Sequence, residues 1–349
     1  MSEISWFGAL CDDDYEQLGV VQPNLRSSWK HCSDIVRTVH YSGFDNILLP
    51  SGYDLGIDTL AFASAIAPSI TNMKLLTAVR CGEVWLPQLA RQLATINQIL
   101  NGRLSINIIS SEMPGESLDG PQRYARTIET MSALRTLMSG ERLDIDGQFF
   151  SLHLDAPRIC RETPTTPLFY FGGLSSEARD AAAAGADVYL MWPDTQDVIA
   201  DTITDLRSRA TAHGRSLKFG YRVHVVVRET QAEARDAAAH LIYAVDAATG
   251  AAIRSRSLDS HSIGVRRQAE LREASGSDGF IEQYLWTGIG KARSGCGAAI
   301  VGTPSQVIDK IHQYQALGIE AFIFSGYPHK KEAQRFADLV LPHLEHRGL

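Results

Sequence analysis

Two residues interrupt an apolar run in LKFGYRVHVVV (217–227): Arg222 and His224 stand two apart, so in a strand both side chains project from one face. A guanidinium offers a planar fork that fits an oxyanion such as sulfonate, phosphonate or carboxylate, and an imidazole beside it adds a hydrogen-bonding group. Residues of similar use close other apolar runs. Trp192 precedes a proline at the end of DVYLMW, Tyr327 and His329 lie in SGYPH, and Arg293 in RSGCG supplies a second guanidinium. Together they read as a pocket for a small anion, with Trp192 as wall. Singly, each has a plainer reading. Arg222 would fit a salt bridge in a strand wall, His224 a hydrogen-bonded core histidine, and Tyr327 a packed aromatic with a solvated hydroxyl.

A second chemistry is written in LFYFGGLSSEARDAAAA (168–184), where an apolar run, a Gly-Gly turn and two serines, Ser175 and Ser176, open an alanine-rich helix. Backbone N–H groups, hydroxyls and the positive end of a helix dipole would meet there, as a phosphate requires. An ordinary serine N-cap looks the same. Cys296, between two glycines, is a candidate reactive thiol. The five cysteines (Cys11, Cys32, Cys81, Cys160, Cys296) are odd in number and never form CxxC, which argues against a disulfide framework or zinc knuckle. His329 and His343 are far apart in register, and no metal site is expected.

The elements that must position these residues alternate between β-branched runs and helical segments, the grammar of a parallel sheet wrapped by helices. Candidate strands are 4–10, 46–50, 74–80, 103–110, 168–173, 187–192, 217–227 and 321–326. Eight is the number of a (β/α)8 barrel, in which polar residues at the C-terminal ends of strands line the active site. A doubly wound sheet would want GxGxxG after the first strand, and ISWFGALCDDD lacks it. Helical stretches such as SWKHCSDIVRTVHYSG, LPQLARQLATINQILNG and TPSQVIDKIHQYQALG end in glycine before the next strand, as left-handed caps do. Two intervals break the rhythm. Residues 140–167 predict a small hairpin, and residues 249–296, rich in Ser, Gly and Arg and poor in period, predict a lid inserted before the last helix and strand. The expectation is one α/β domain over 1–349.

Composition narrows the partners. With 33 basic and 40 acidic residues the net charge is −7, and no basic run could track a phosphate backbone. Nucleic acid is not an expected partner. No stretch approaches about 18 uninterrupted apolar residues and the N-terminus lacks a basic-then-apolar order, so no membrane contact and a cytoplasmic location are expected.

Across nearly its whole length the sequence resembles the bacterial luciferase-like flavin monooxygenases, and within them the alkanesulfonate monooxygenases. The matching stretches are ARQLATINQILNGRLSINIIS, PQRYARTIETMSALRTLMSGE with DGQFFSL, LFYFGGLSSEARDAAAAGADVYLMW, GYRVHVVVRET, LWTGIGKARSGCGAAIVGTP and IFSGYPHKKEA. The resemblance implies a TIM barrel of the luciferase-like type in a two-component system. A separate NAD(P)H-dependent flavin reductase would supply FMN as FMNH2, and with O2 the barrel would cleave the carbon–sulfur bond of a sulfonate to sulfite and an aldehyde. It further implies that Arg222 and Arg293 hold the sulfonate, Trp192 and His224 line its pocket and Tyr327 donates or relays a proton. Ser175, Ser176 and Tyr124 would hold the FMN phosphate, with Asn107 near the isoalloxazine. By the same likeness the chain would be a homo-oligomer, dimer or tetramer.

The sequence departs from that pattern in two places. After strand two the family carries Thr-Gly-Arg-Ser-Cys-Glu-Asp, whereas this chain reads SGYDLGIDT, and the histidine expected after strand one falls at Cys11. Both changes touch the pocket rim, which leaves the sulfonate open: sulfoquinovose, methanesulfonate or another. Two rivals stand beside this reading. One is a barrel enzyme of another substrate (sulfone, aminopolycarboxylate, pyrimidine) or a deazaflavin-dependent reductase; the other is a catalytically silent flavin-binding protein.

Overall fold

The computed structural model describes residues 1–54, 56–255, 262–293 and 295–349. Its strands are β1 (Glu3–Phe7), β2 (Asn46–Leu49), β3 (Lys74–Arg80), β4 (Leu104–Ile109), β5 (Leu143–Asp146), β6 (Ser151–Leu154), β7 (Phe169–Phe171), β8 (Val188–Met191), β9 (Lys218–Val227), β10 (Phe280–Glu282), β11 (Leu285–Trp286), β12 (Ala299–Gly302) and β13 (Ala321–Ser325). Eight of them pair in parallel in the order β1-β2-β3-β4-β7-β8-β9-β13, and β13 closes on β1. The chain is therefore a closed (β/α)8 barrel, and each of the eight candidate strands contributes one stave. β2 and β13 are buried at every position, as continuous apolar runs must be in a parallel sheet covered on its outer face.

Local signals set the helix limits. Thr303 and Gln306 form a reciprocal capping box ahead of helix Pro304–Leu317, and Gly318 ends that helix at φ +108°, a conformation that favours glycine. At the N-terminal floor of the barrel, fully buried Glu3 accepts hydrogen bonds from the Tyr170 hydroxyl at 2.7 Å and the Asn46 amide at 3.2 Å, so its burial is matched by donors.

The predicted hairpin at 140–167 forms as β5 and β6. Two expectations are corrected. Residues 299–302, absent from the candidate strands, form β12, which runs parallel to β9 and starts the antiparallel extension β12-β11-β10. The 249–296 interval is not irregular: helix Ala247–Arg254, capped by Asp246, runs into it, and it contains helix Ile263–Ala274, capped by Ser262. Short helices escape a periodicity reading, and their Ser- and Gly-rich flanks hid them. Residues 256–261 and Ser294 of that interval lie outside the described residues. A further helix, His329–Leu339, follows β13.

Candidate active site

The C-terminal ends of the staves surround a cavity of about 630 Å³, within the usual range for a small-molecule site. Arg222 and His224 enter it from β9. That strand has ten residues where its neighbour β8 has four. β8 pairs with it only as far as Met191↔Tyr221, and β12 begins at Ala299↔His224. Arg222 and Val223 therefore sit where one partner strand has ended and the next has not begun. The Cys296 thiol closes this gap by donating to the Arg222 carbonyl at 3.3 Å, and the Arg222 guanidinium donates to the Val223 carbonyl at 3.1 Å.

Arg222 is only 4% exposed, stacks over the Phe7 ring at 4.3 Å, and has no carboxylate in ion-pairing distance among the described residues. Burial, chiefly, lowers its pKa from the ordinary arginine value. A buried cation without a counterion is unfavourable to the folded protein and favourable to any anion that enters. Arg293 lines the same cavity from the end of the insertion, but it brings its own anion: Nη1 lies 2.6 Å from Asp12 Oδ2. The sequence reading took the two arginines as an equivalent pair. In the structure only Arg222 lacks a charged partner, among the described residues.

His224 places Nδ1 at 2.6 Å from Ser325 Oγ and stacks on Tyr327 with ring centres 5.6 Å apart. Burial, then the neighbouring Arg222 and Arg293, hold its pKa well below the usual imidazole value, so it is neutral at physiological pH. Tyr327 does not line the cavity itself. It lies behind His224 and 5.7 Å from the Arg293 guanidinium, and burial, outweighing the pull of Arg293, raises its pKa, which keeps the phenol protonated. Trp192 does line the cavity, with its ring between two glycines of the insertion. A Cβ on Gly264 would come within 2.8 Å of Trp192 Cζ3, and one on Gly295 within 3.2 Å of Cζ2. Glycine at both positions lets the insertion close down on the indole.

The opposite end of the cavity holds the Gly-Gly turn. Ser175 caps helix Ser176–Gly185, its Oγ accepting from the Ala178 N–H at 3.1 Å, and it lines the cavity with Gly172, Gly173, Tyr124, Arg123 and Glu177. A side chain at 172 would meet the Leu190 carbonyl at 2.2 Å, so the turn tolerates no Cβ there. Ser176 faces elsewhere: its hydroxyl accepts from Arg209 at 3.2 Å and is not part of the cavity. Asn107 lines the wall from β4. Arg123 Nε and Ser110 Oγ, both in residues lining the cavity, are buried without a hydrogen-bond partner among the described residues. Orphaned polar atoms of this kind fit a polar, phosphate-bearing ligand.

Sequence reasoning missed three cavity residues. Arg80 ends β3, and Ser51 and Ser111 hold its guanidinium: Nε lies 3.2 Å from Ser51 Oγ and Nη2 2.8 Å from the Ser51 carbonyl. An arginine closing the apolar run KLLTAVR was the available signal. Asp12 was hidden in a run of three aspartates that looks like a solvated turn, and Arg123 within an ordinary amphipathic helix. Neither thiol of the cavity is activated. Burial pushes Cys11 up to about 11 and also raises Cys296, so both are protonated at neutral pH. Among the described residues no three His, Cys, Asp or Glu side chains are grouped to hold a metal, and no helix is long and apolar enough to cross a membrane.

A parallel barrel with a ligand-sized, arginine-walled cavity at the C-terminal ends of its strands is built as an enzyme of the (β/α)8 class. The chain belongs to the luciferase-like monooxygenase family, whose model matches residues 11–321. It is 58% identical over 354 aligned positions to the sulfoquinovose monooxygenase of Novosphingobium aromaticivorans, covering 99% of this chain and 98% of that protein. It is 47% identical over 346 positions to the sulfoquinovose monooxygenase of Agrobacterium fabrum, covering 99% and 90%. Among solved structures, the fold matches the oxygenating constituent of 3,6-diketocamphane monooxygenase from Pseudomonas putida, in complex with FMN, with a TM-score of 0.69 at 14% identity and 99% coverage of both chains.

Proposed function

We propose that this chain is the oxygenating component of a two-component system that takes reduced FMN from a separate NAD(P)H-dependent reductase and cleaves an organosulfonate, with sulfoquinovose as the substrate. The observation that carries the reading is Arg222: a buried guanidinium without a carboxylate partner among the described residues, facing a cavity in a chain 58% identical to a protein of that activity. Overall, sulfonate, dioxygen and reduced flavin become aldehyde, bisulfite, oxidised flavin and water; one oxygen atom ends on the carbon that carried sulfur and the other in water.

Reduced FMN would supply the two electrons and activate dioxygen. Ser175, Tyr124 and the Gly172–Gly173 turn would hold its phosphate, with Arg123 Nε as a further donor and Asn107 beside the ring system. Arg222 would hold the sulfonate, and its charge gains most when water is excluded. His224, neutral and fixed by Ser325, would offer a hydrogen bond without adding charge, and Tyr327, kept protonated, a proton donor behind it. Trp192 and the insertion that clamps it would cover the mouth against water, which otherwise diverts the oxygen chemistry to hydrogen peroxide.

The test combines the purified chain with a flavin reductase, FMN, NADH and air, and measures sulfite from methane- to decanesulfonate and from sulfoquinovose. Sulfite from sulfoquinovose is expected, and Arg222→Ala should lose about 2–4 kcal/mol of substrate affinity, as removal of one partner of a buried charge pair does. Tight binding of reduced FMN with no sulfite from any of these compounds would leave a silent flavin binder instead.

A further inference from the structure

A carboxylate in the wall of an anion pocket offers no hydrogen bond to a plain alkanesulfonate. Asp12 lines the same cavity as Arg222, and its side chain is 17% exposed. Its Oδ2 takes Arg293 at 2.6 Å, while Oδ1 takes the Asp13 N–H at 2.8 Å and faces the Tyr15 hydroxyl at 3.5 Å. A carboxylate has about four acceptor positions, three are taken by these contacts, and Asp12, which lines the cavity, keeps about one. A sulfonate and an alkyl chain have no donor to give it and bring a like charge or bare C–H groups. A polyol brings O–H donors for the carboxylate and oxygen acceptors for the N–H groups of Arg293 that have no partner among the described residues. Adjacent carboxylate and guanidinium thus complement neighbouring hydroxyls, while Arg222 takes the anionic end.

Resting on the sulfonate reading above, we infer that Asp12 is the specificity-determining residue that makes this cavity select a hydroxyl-bearing sulfonate over an unsubstituted one, with Arg293 as its partner in holding the hydroxyls. Asp12 does not enter the bond-breaking step. It sets which sulfonate reaches that step.

The experiment is anaerobic binding calorimetry on the chain with reduced FMN, titrating sulfoquinovose and hexane-1-sulfonate into the natural protein, Asp12→Asn, Asp12→Ala and Arg222→Ala, each with its melting temperature. For Asp12→Asn a loss of about 10- to 100-fold in sulfoquinovose affinity is expected, with hexanesulfonate affinity held within about threefold or improved, because only the sugar loses a charged hydrogen bond. Asp12→Ala should show the same split, which keeps the comparison available if one variant is poorly folded. Equal losses for both ligands would reduce Asp12 to a prop for Arg293 and overturn the inference, as would unchanged sulfoquinovose binding. If Arg222→Ala leaves both ligands bound while Asp12→Asn still separates them, the sulfonate reading fails and the Asp12 assignment stands. A natural protein that binds neither ligand overturns both.

Discussion

Replacing Arg222 with methionine should make the ligand-free protein more stable and the enzyme worse, and the pairing of those signs is the test. Burying an ion costs several kcal/mol after relaxation. Against that, stacking on Phe7 at 4.3 Å returns about 1–2 kcal/mol, and the charged hydrogen bond to the Val223 carbonyl about 1.5–3 kcal/mol. Without a carboxylate partner among the described residues, the balance stays unfavourable by about 1–2 kcal/mol. Methionine fills a similar length against Phe7 and removes the charge, so the ligand-free melting temperature should rise by about 1–3 °C for a chain of this size. The same change removes the charge that meets the substrate, with a loss of about 2–4 kcal/mol, roughly 30- to 1,000-fold in affinity. Thermal melts of the two ligand-free proteins and titration with sulfoquinovose read both quantities. A variant that melts several degrees below the natural protein while binding sulfoquinovose unchanged would make Arg222 a strut of the wall and refute the reasoning.

Ser175→Ala should cost about 1 kcal/mol of stability through the lost cap, and it should weaken FMN but not riboflavin, since only FMN carries a phosphate; equal weakening of the two would remove Ser175 from the phosphate site. Acid stability has a defined sign. Burial lowers the His329 pKa from 6.5 to about 4, so below pH 6.5 the unfolded chain takes up a proton that the folded one refuses. Its contribution to stability is therefore full above pH 6.5 and is lost as pH falls toward 4, about 2 kcal/mol by pH 5. His224 acts in the same direction. Chemical denaturation at pH 7 and 5 should show His329→Gln with a shallower decline, and an unchanged slope would count against a neutral His329. Cys296→Ser keeps a donor for the Arg222 carbonyl and should retain sulfite production, whereas Cys296→Ala should lose about 1 kcal/mol of stability; abolition of turnover by both would make the thiol a chemical participant.

The barrel was legible because a parallel stave buried on both faces is mostly apolar, and runs such as ILL and AFIF have few other uses. β12 was not legible: AIVG is four residues long and lies beside a segment read as insertion. Yet the unusual length of β9 carried a clue, because a ten-residue stave beside a four-residue neighbour needs a second partner for its far half. Spacing along one strand places Arg222 and His224 on one face, and that required no tertiary information. Which arginine is already neutralised depends on a contact between residues 281 positions apart, Asp12 and Arg293, and no local pattern encodes it. Ser176 shows the opposite limit. Two adjacent serines at a helix start look alike in sequence, but the helical turn sends only Ser175 into the cavity.

The break in the wall is closed by a side chain of the insertion. Because β8 stops opposite Tyr221 and β12 starts opposite His224, the Arg222 carbonyl has no strand partner on that side and takes the Cys296 thiol instead. The guanidinium itself donates to the Val223 carbonyl and stacks on Phe7, leaving its remaining N–H groups for the cavity. The insertion that leads into β12 supplies Cys296, Arg293 and the glycines that flank Trp192. One segment of chain thus completes the sheet beyond the gap, anchors the arginine through the Cys296 thiol and clamps the mouth, so a change in the seating of the insertion reaches the anion-binding group through one covalent path. Loosening β12 should therefore alter substrate affinity before it alters the barrel itself.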